Sequence, residues 1–174
     1  MEKGPSRPLT QPLDCRNLTQ FEEARKMNGA AVCKFCHPQS MTNKPLRYGK
    51  YWYVKKNDFA ADNTQGMFVL VSRKHISNTQ PKKIATAMMR EAWQLALWVI
   101  EKYKMPGGAL VMRFGDPQYH AGTMDHLHIN LIFPKGRGKK CIVVLAKSPQ
   151  MIHEDKVRTA KFMKKLSSGQ KRNK

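Results

Sequence analysis

Residues 126–133, with the sequence His-Leu-His-Ile-Asn-Leu-Ile-Phe, alternate polar and apolar side chains as far as the adjacent pair Ile132 and Phe133. An alternation of period two predicts a half-buried strand, because successive side chains of a strand point to opposite faces. The polar face would carry His126, His128 and Asn130, and the apolar face Leu127, Ile129 and Leu131. Two imidazoles on one strand face lie close enough to serve a common pocket, so this strand is the candidate site of chemistry.

The flanking sequence predicts an α+β domain. Short β-branched or aromatic runs predict further strands at 51–54, 67–71, 109–114 and 141–145. Apolar residues recur at intervals of three and four between 81 and 104, which predicts one long amphipathic helix. The Pro-Gly-Gly sequence at 106–108 is expected to end that helix.

Three segments are predicted along the chain: an N-terminal extension (1–31), a central domain (32–150) and a basic C-terminal helix or tail (151–174). Within the extension, residues 18–26 form a short amphipathic stretch that favours a helix. Residues 152–166 predict a basic amphipathic helix, and the last eight residues, with the sequence SSGQKRNK, are expected to be disordered.

Composition limits the class of protein. The formal net charge is +20, and residues 135–174 hold thirteen Lys and Arg against two acidic residues. The electrostatic field of so many positive charges attracts polyanions, whether nucleic acid or nucleotide phosphates, without selecting between them. Four cysteines are few for a disulfide-built secreted domain, and no apolar run resembles a membrane span or a secretory signal. We therefore expect a cytoplasmic protein without a membrane partner.

A Cys-x-x-Cys pair stands at Cys33 and Cys36. In a reducing compartment this spacing indicates metal binding, a redox pair or an unligated turn, and His37 directly after it is a competing metal ligand. Near the polar strand, Gly122 and Thr123 offer backbone N–H groups and a hydroxyl that suit an anion.

Taken in order, these motifs resemble the histidine-triad family. The stretch HLHINLI at 126–132 resembles the family signature with asparagine in the third histidine position, and VLVSRKHI at 69–76 resembles the strand that precedes the long helix. GGALVMRFGDPQYHAGTMDHLHINLI at 107–132 resembles the glycine loop and the triad strand, so that with CKFC at 33–36 the resemblance covers roughly 33–134. It implies an antiparallel sheet of about five strands with one long helix packed on it.

The resemblance also implies a metal centre. Zinc-containing members have a ligand layout that would place a Zn²⁺ ion on Cys33, Cys36, His75 and His126. Two thiolates and two imidazoles suit tetrahedral zinc, and a closed set of four protein ligands is structural rather than hydrolytic.

The catalytic residues implied are His128, the middle histidine, as nucleophile toward the α-phosphorus of a nucleotide, and Asn130. An amide at this third position can bind phosphate but cannot act as a general acid, and superfamily branches with glutamine there are transferases. Gly122 and Thr123 match the phosphate-binding turn of the family.

The same resemblance predicts the roles of three further positions. Arg113 either contacts the phosphates or balances Asp116. Asn57 resembles the residue that contacts the ribose hydroxyls, with Asp58 as the competing choice. Ser72 stands where relatives often have proline, and it is expected to take no part in the chemistry.

The predicted function is a nucleotide hydrolase or nucleotidyltransferase that acts on a nucleotide or dinucleoside polyphosphate through a covalent nucleotidyl-His128 intermediate. The alternative is a zinc-stabilised nucleic-acid-binding module, or an enzyme acting on nucleotides joined to nucleic acid, in which the basic tail holds the strand. By resemblance, a homodimer is also expected.

Overall fold

The computed structural model describes residues 8–116, 119–120, 122–143 and 147–170. Two compact units divide the chain. The first comprises Met1–Val32, Ala121–Asp125 and Val144–Lys174, and the second comprises Cys33–His120 and His126–Val143.

The second unit is built on an antiparallel five-stranded sheet in the order β1-β2-β3-β5-β4. Its strands are β1 (Pro45–Tyr48), β2 (Trp52–Lys56), β3 (Thr64–Ser72), β4 (Ala109–Met112) and β5 (His128–Pro134). The central pairing joins β3 to β5, with Val71 opposite His128 and Val69 opposite Asn130. The predicted α+β class with an antiparallel sheet of about five strands is confirmed.

Helix α2 (Thr86–Tyr103) supplies the other half of the core of the second unit. The buried helix residues, which recur every three or four positions as predicted, are Met88, Ala92, Leu95, Ala96 and Val99. They belong to one hydrophobic cluster with sheet residues that include Leu70, Ile129 and Leu131. Burial of each large apolar side chain contributes about 1.5–3 kcal/mol, so this face stabilises the sheet. The opposite face carries His128 and Asn130 together with a smaller apolar cluster of Tyr53, Val69 and Val71.

The end of α2 comes slightly earlier than the Pro-Gly-Gly sequence. Lys104 caps the helix in the left-handed conformation (φ 51°), and its N–H donates to the carbonyls of Ile100 and Glu101. Gly108 then lies against β5, where a Cβ atom would approach the Ile132 carbonyl oxygen to 2.4 Å. Glycine is needed there because the backbones of two neighbouring strands meet.

One strand was predicted in the wrong place. Cys141–Val143 lie outside any strand, Ile142 is exposed, and residues 144 and 145 of the predicted strand lie outside the described residues. The fifth strand is instead β1, a short edge strand that begins at a proline and exposes its last two residues. Such an edge lacks the apolar run that marks a buried strand.

The first unit contains α1 (Leu18–Ala30) and α3 (Pro149–Gln170). The side chain of Asn17 caps α1 by accepting the N–H of Gln20 at 2.9 Å. Phe21 packs against Phe162 with ring centroids 5.6 Å apart. Both helices that the sequence predicted here are confirmed, and both are longer than predicted.

A charged cluster also stabilises the first unit. Lys147 bonds the carboxylates of Asp14 and Asp155, and Arg158 bonds Asp155 at 2.5 Å. Residues 167–170 form the last turn of α3, so the prediction of disorder was wrong for them, and 171–174 lie outside the described residues. Within the described part of the chain, none of the helices is long and apolar enough to cross a membrane.

Candidate active site and metal-binding cluster

Two cysteines and two histidines from separate parts of the second unit meet in one cluster. Cys33 precedes a 3₁₀ turn whose last residue is Cys36, His75 follows β3, and His126 precedes β5. Their ligand atoms all lie within 4.8 Å of one another. The cluster therefore joins the same four residues that the sequence predicted as zinc ligands, and His37 is not part of it.

The distances within the cluster fit a tetrahedral zinc ion. Zinc–sulfur and zinc–nitrogen bonds of ordinary length place two nitrogens about 3.3 Å apart and a sulfur and a nitrogen about 3.6 Å apart. The Nδ1 atoms of His75 and His126 are 3.1 Å apart. Cys33 Sγ lies 3.4 Å from His126 Nδ1, and Cys36 Sγ lies 3.4 Å from His75 Nδ1 and 3.6 Å from His126 Nδ1. The donor set is compatible with zinc in both chemistry and spacing.

Ser72 orients His126 toward the cluster. The Nε2–H of His126 donates to the Ser72 carbonyl oxygen at 2.8 Å, and the Ser72 hydroxyl lies 3.1 Å from the same nitrogen. This bond leaves the lone pair on Nδ1, the atom that faces the cysteines. The sequence did not predict this contact of Ser72 with a candidate zinc ligand, because it depends on how β3 passes the residues before β5. That Ser72 takes no part in the chemistry stays a prediction.

Burial affects the charge of the cluster. Desolvation raises the pKa of the Cys33 thiol, and the neighbouring Cys36 raises it further. The four cysteines of the chain are free thiols. A thiolate as buried as that of Cys33 needs a cation beside it, which is what a divalent ion provides.

His128 lies at the start of β5, on the sheet face opposite α2, and is 9% exposed. Its Nδ1 lies 2.6 Å from the carbonyl oxygen of His126. A carbonyl only accepts, so Nδ1 carries the proton and the lone pair is on Nε2. The backbone thus fixes the tautomer that a nucleophilic imidazole requires.

Electrostatics keep His128 neutral. Burial lowers the pKa of His128 to about 4, the hydrogen bond to the His126 carbonyl opposes that shift, and the positive charges of Arg113 and His120 lower the pKa further. The ring therefore presents a lone pair at neutral pH. Arg113 and His120 both lie close enough to influence it.

Phe35, inside the Cys-x-x-Cys turn, connects the cluster to His128. Its ring meets the rings of His126 and His128 edge-on, with both centroid distances 5.5 Å. Its carbonyl oxygen accepts the hydroxyl of Tyr53 at 2.8 Å, and it packs on Val69 and Val71. No sequence motif marks this role of Phe35, since it depends on how the turn folds over the sheet.

Comparisons with known proteins identify the fold. No protein-family model matches the sequence, and no curated protein matches it. Among solved structures, a HIT family hydrolase from Clostridium thermocellum is 22% identical, covering 62% of this chain and 95% of that chain at a TM-score of 0.50. A histidine triad nucleotide-binding protein from Candida albicans is 15% identical, covering 79% of this chain and 99% of that chain at a TM-score of 0.52. A hypothetical protein from Leishmania major is 14% identical over 78% of this chain and 99% of that chain, also at 0.52.

The chain has the histidine-triad fold. Its triad strand is β5, and the third histidine position is occupied by Asn130, which is buried beside His128 on the same sheet face.

Asn57 lies next to Asn130 in this histidine-triad fold. The Asn57 side-chain amide donates to Asn130 Oδ1 at 3.3 Å, and Asn57 Oδ1 accepts the N–H of Phe59 at 2.8 Å. Asp58 faces elsewhere: it accepts from Asn43 at 2.7 and 3.0 Å and pairs with the buried Lys55 at 2.5 Å. Of the two ribose candidates, Asn57 is the one that contacts a predicted site residue.

The predicted phosphate-binding residues fall in both units. Arg113 follows β4 in the second unit, half-buried, and its charge acts on His128. Gly122 and Thr123 belong to the first unit, where the Thr123 carbonyl accepts the N–H of Gln11 at 2.8 Å and its hydroxyl accepts the amide of Gln20 at 3.5 Å. Their role toward phosphate stays a prediction.

Proposed function

We propose that this protein is a nucleotide hydrolase or nucleotidyltransferase that forms a covalent nucleotidyl intermediate on His128. The observation that supports it most is the 2.6 Å contact between His128 Nδ1 and the His126 carbonyl oxygen. It leaves Nε2 of a neutral, buried ring as the nucleophilic atom. The similar solved structures add support, since the Candida albicans protein is described as nucleotide-binding and the Clostridium thermocellum protein as a hydrolase.

The reaction would proceed in two displacements at the α-phosphorus. His128 Nε2 forms a bond to phosphorus, and the bond from phosphorus to the leaving group breaks, with the electron pair going to that group. A water molecule or another acceptor then attacks phosphorus, and the electron pair of the P–N bond returns to Nε2. Splitting one displacement into two in this way is the usual gain of nucleophilic catalysis.

Asn130 and Arg113 would stabilise the phosphoryl oxygens. The Oδ1 of Asn130 accepts from Asn57, so its amide NH₂ is the group left to donate toward the pocket. Arg113 brings a positive charge close to His128. Donors fixed before the reaction stabilise the charge that develops in the transition state.

Zinc would be held by Cys33, Cys36, His75 and His126. When bound, it would cross-link the turn at Cys33–Cys36 to β3 and β5 and would not itself react, because all four ligands come from protein. It would also fix His126, whose carbonyl orients His128.

A substrate screen tests this function. Purified protein is incubated with the four common nucleoside triphosphates and with diadenosine polyphosphates in ¹⁸O-labelled water, with and without inorganic phosphate, and the products are analysed by mass spectrometry. We expect a nucleoside monophosphate that carries ¹⁸O, or a nucleoside diphosphate where phosphate is the acceptor, and neither with His128→Ala. Turnover that the variant retains would contradict the proposal.

The second candidate is nucleic-acid binding, favoured by the surface of α3. Lys156, Lys161, Lys164 and Lys165 are all exposed on this helix. Phosphate contacts of that kind give affinity that falls steeply with salt. Fluorescence anisotropy with single- and double-stranded oligonucleotides across a salt series would test nucleic-acid binding. An affinity that does not change with salt concentration would count against it. A homodimer and a cytoplasmic location stay predictions.

A further inference from the structure

The loop after β4 holds a second buried histidine, whose charge acts on the proposed nucleophile. His120 is only 6% exposed and belongs to the same compact unit as His128. The positive charges of Arg113 and then of His120 act on the His128 ring, so both side chains lie within electrostatic range of it. The histidine-triad signature does not include this position.

Two hydrogen bonds position His120. The N–H of Gly115 donates to the carbonyl of buried Asn78 at 2.8 Å, and Gly115 adopts a positive φ of 89°. The Gly115 carbonyl then faces His120 Nε2 at 3.3 Å. Since a carbonyl only accepts, Nε2 carries a proton.

The other ring nitrogen has a different environment. Nδ1 of His120 is buried and makes no hydrogen bond with any residue that the structure describes. A buried polar atom without a partner costs free energy, and such atoms occur where a ligand completes the site. With Nε2 held by Gly115, Nδ1 is the atom that can exchange a proton with a ligand.

Asn130 cannot serve as that proton donor. The third triad position holds an amide, which neither gives nor takes a proton at neutral pH. Histidine is the side chain best suited to do both. We infer that His120 is a catalytic residue that transfers a proton to the leaving group through Nδ1, in place of the third histidine; this inference rests on the proposed function.

The proton balance closes over the two displacements. As His128 Nε2 bonds to phosphorus, the P–O bond to the leaving group breaks. The leaving oxygen takes the Nδ1 proton of His120, which begins the cycle protonated on both ring nitrogens. In the second displacement the lone pair on His120 Nδ1 accepts a proton from the attacking water, while the P–N bond breaks and its electron pair returns to His128. His120 ends in the protonation state in which it began.

Leaving groups that differ in their need for a proton provide the test. The p-nitrophenyl and phenyl esters of the common nucleoside 5′-monophosphates differ in this respect, because p-nitrophenolate leaves readily without a proton and phenolate does not. The measured quantity is the ratio of kcat/KM for the two esters. That ratio does not depend on the folded fraction of a variant.

With His120→Ala we expect kcat/KM to fall about 100-fold or more for the phenyl ester and less than about tenfold for the p-nitrophenyl ester. His120→Asn, which keeps an amide able to donate to Gly115, should behave in the same way. His153→Ala removes an exposed histidine on α3 and should leave the ratio unchanged.

An equal fall for both esters, or an unchanged ratio, would overturn the assignment of His120. If wild-type protein releases neither phenol, or releases it equally with His128→Ala, the proposed function fails and this inference fails with it. Instead, a His120→Ala variant that keeps its release of p-nitrophenol, dependent on His128, and loses its release of phenol would support both the proposed function and the role of His120.

Discussion

His126 contributes its side chain to the cysteine–histidine cluster, and its backbone carbonyl oxygen lies 2.6 Å from Nδ1 of His128. One residue therefore belongs to the cysteine–histidine cluster and also orients the proposed nucleophile. A displacement of the His126 backbone is expected to change the orientation of the His128 ring. His126 therefore links the cysteine–histidine cluster to His128.

The cluster is expected to bind one zinc ion per chain. Cys33→Ala and His75→Ala should each lose most of the metal and destabilise the protein by several kcal/mol, lowering Tm by about 10 °C or more. Metal analysis by mass spectrometry and thermal unfolding measure the two effects. Cys141→Ala, a half-exposed cysteine outside the cluster, is the matched control. Metal-free wild-type protein that unfolds at the same temperature with and without added zinc would contradict the account.

Asn130→Ala is expected to lower kcat/KM by about 100- to 1000-fold, because a donor to the phosphoryl oxygens is lost. Asn130→Asp keeps the shape but replaces the NH₂ group with an oxygen, so its loss should be larger. Steady-state kinetics with the best substrate from the screen measure both variants. If the aspartate variant is as active as wild type, Asn130 does not contact phosphate.

Asn57→Ala should weaken ribonucleotide binding about tenfold, the effect of one lost hydrogen bond. For 2′,3′-dideoxynucleotides the same substitution should change little, because they lack the hydroxyls in question. Isothermal titration calorimetry on inactive His128→Ala protein measures both affinities without turnover. Equal losses for the two ligand classes would show that Asn57 acts only through its bond to Asn130.

Glu91 on α2 is expected to stabilise the turn between β1 and β2. Its carboxylate accepts the N–H groups of Lys50, Tyr51 and Trp52 at 3.0, 2.8 and 3.0 Å. Glu91→Ala should lower the free energy of unfolding by about 2–3 kcal/mol, measured by urea denaturation. Glu101→Ala removes an exposed acid from the same helix and should have little effect. Equal stability of the two variants would contradict this role.

Periodicity and spacing predicted the parts of this protein that depend on local sequence. The alternation around His128 predicted the strand and its polar face, and the three- and four-residue recurrence predicted α2 with Ala92 and Val99 buried. The four cluster residues followed from the family resemblance, and the structure brings their ligand atoms together.

Other features depend on tertiary contacts that no local pattern reveals. Ser72 contacts His126 only because β3 passes beside the residues before β5, and Phe35 reaches His128 only because the turn folds over the sheet. His120 carries no motif, and its burial depends on the turn at Gly115. Strand β1 was missed because an edge strand needs no apolar run.

Trapping the intermediate tests the central claim most directly. Protein is mixed with radiolabelled nucleotide, quenched in alkali, in which a phosphoramidate survives, and digested so that the labelled peptide can be sequenced by mass spectrometry. We predict an acid-labile nucleotidyl group on the peptide that contains His128, and no label with His128→Ala. Turnover by wild-type protein without an adduct, or label on any other residue, would contradict the account.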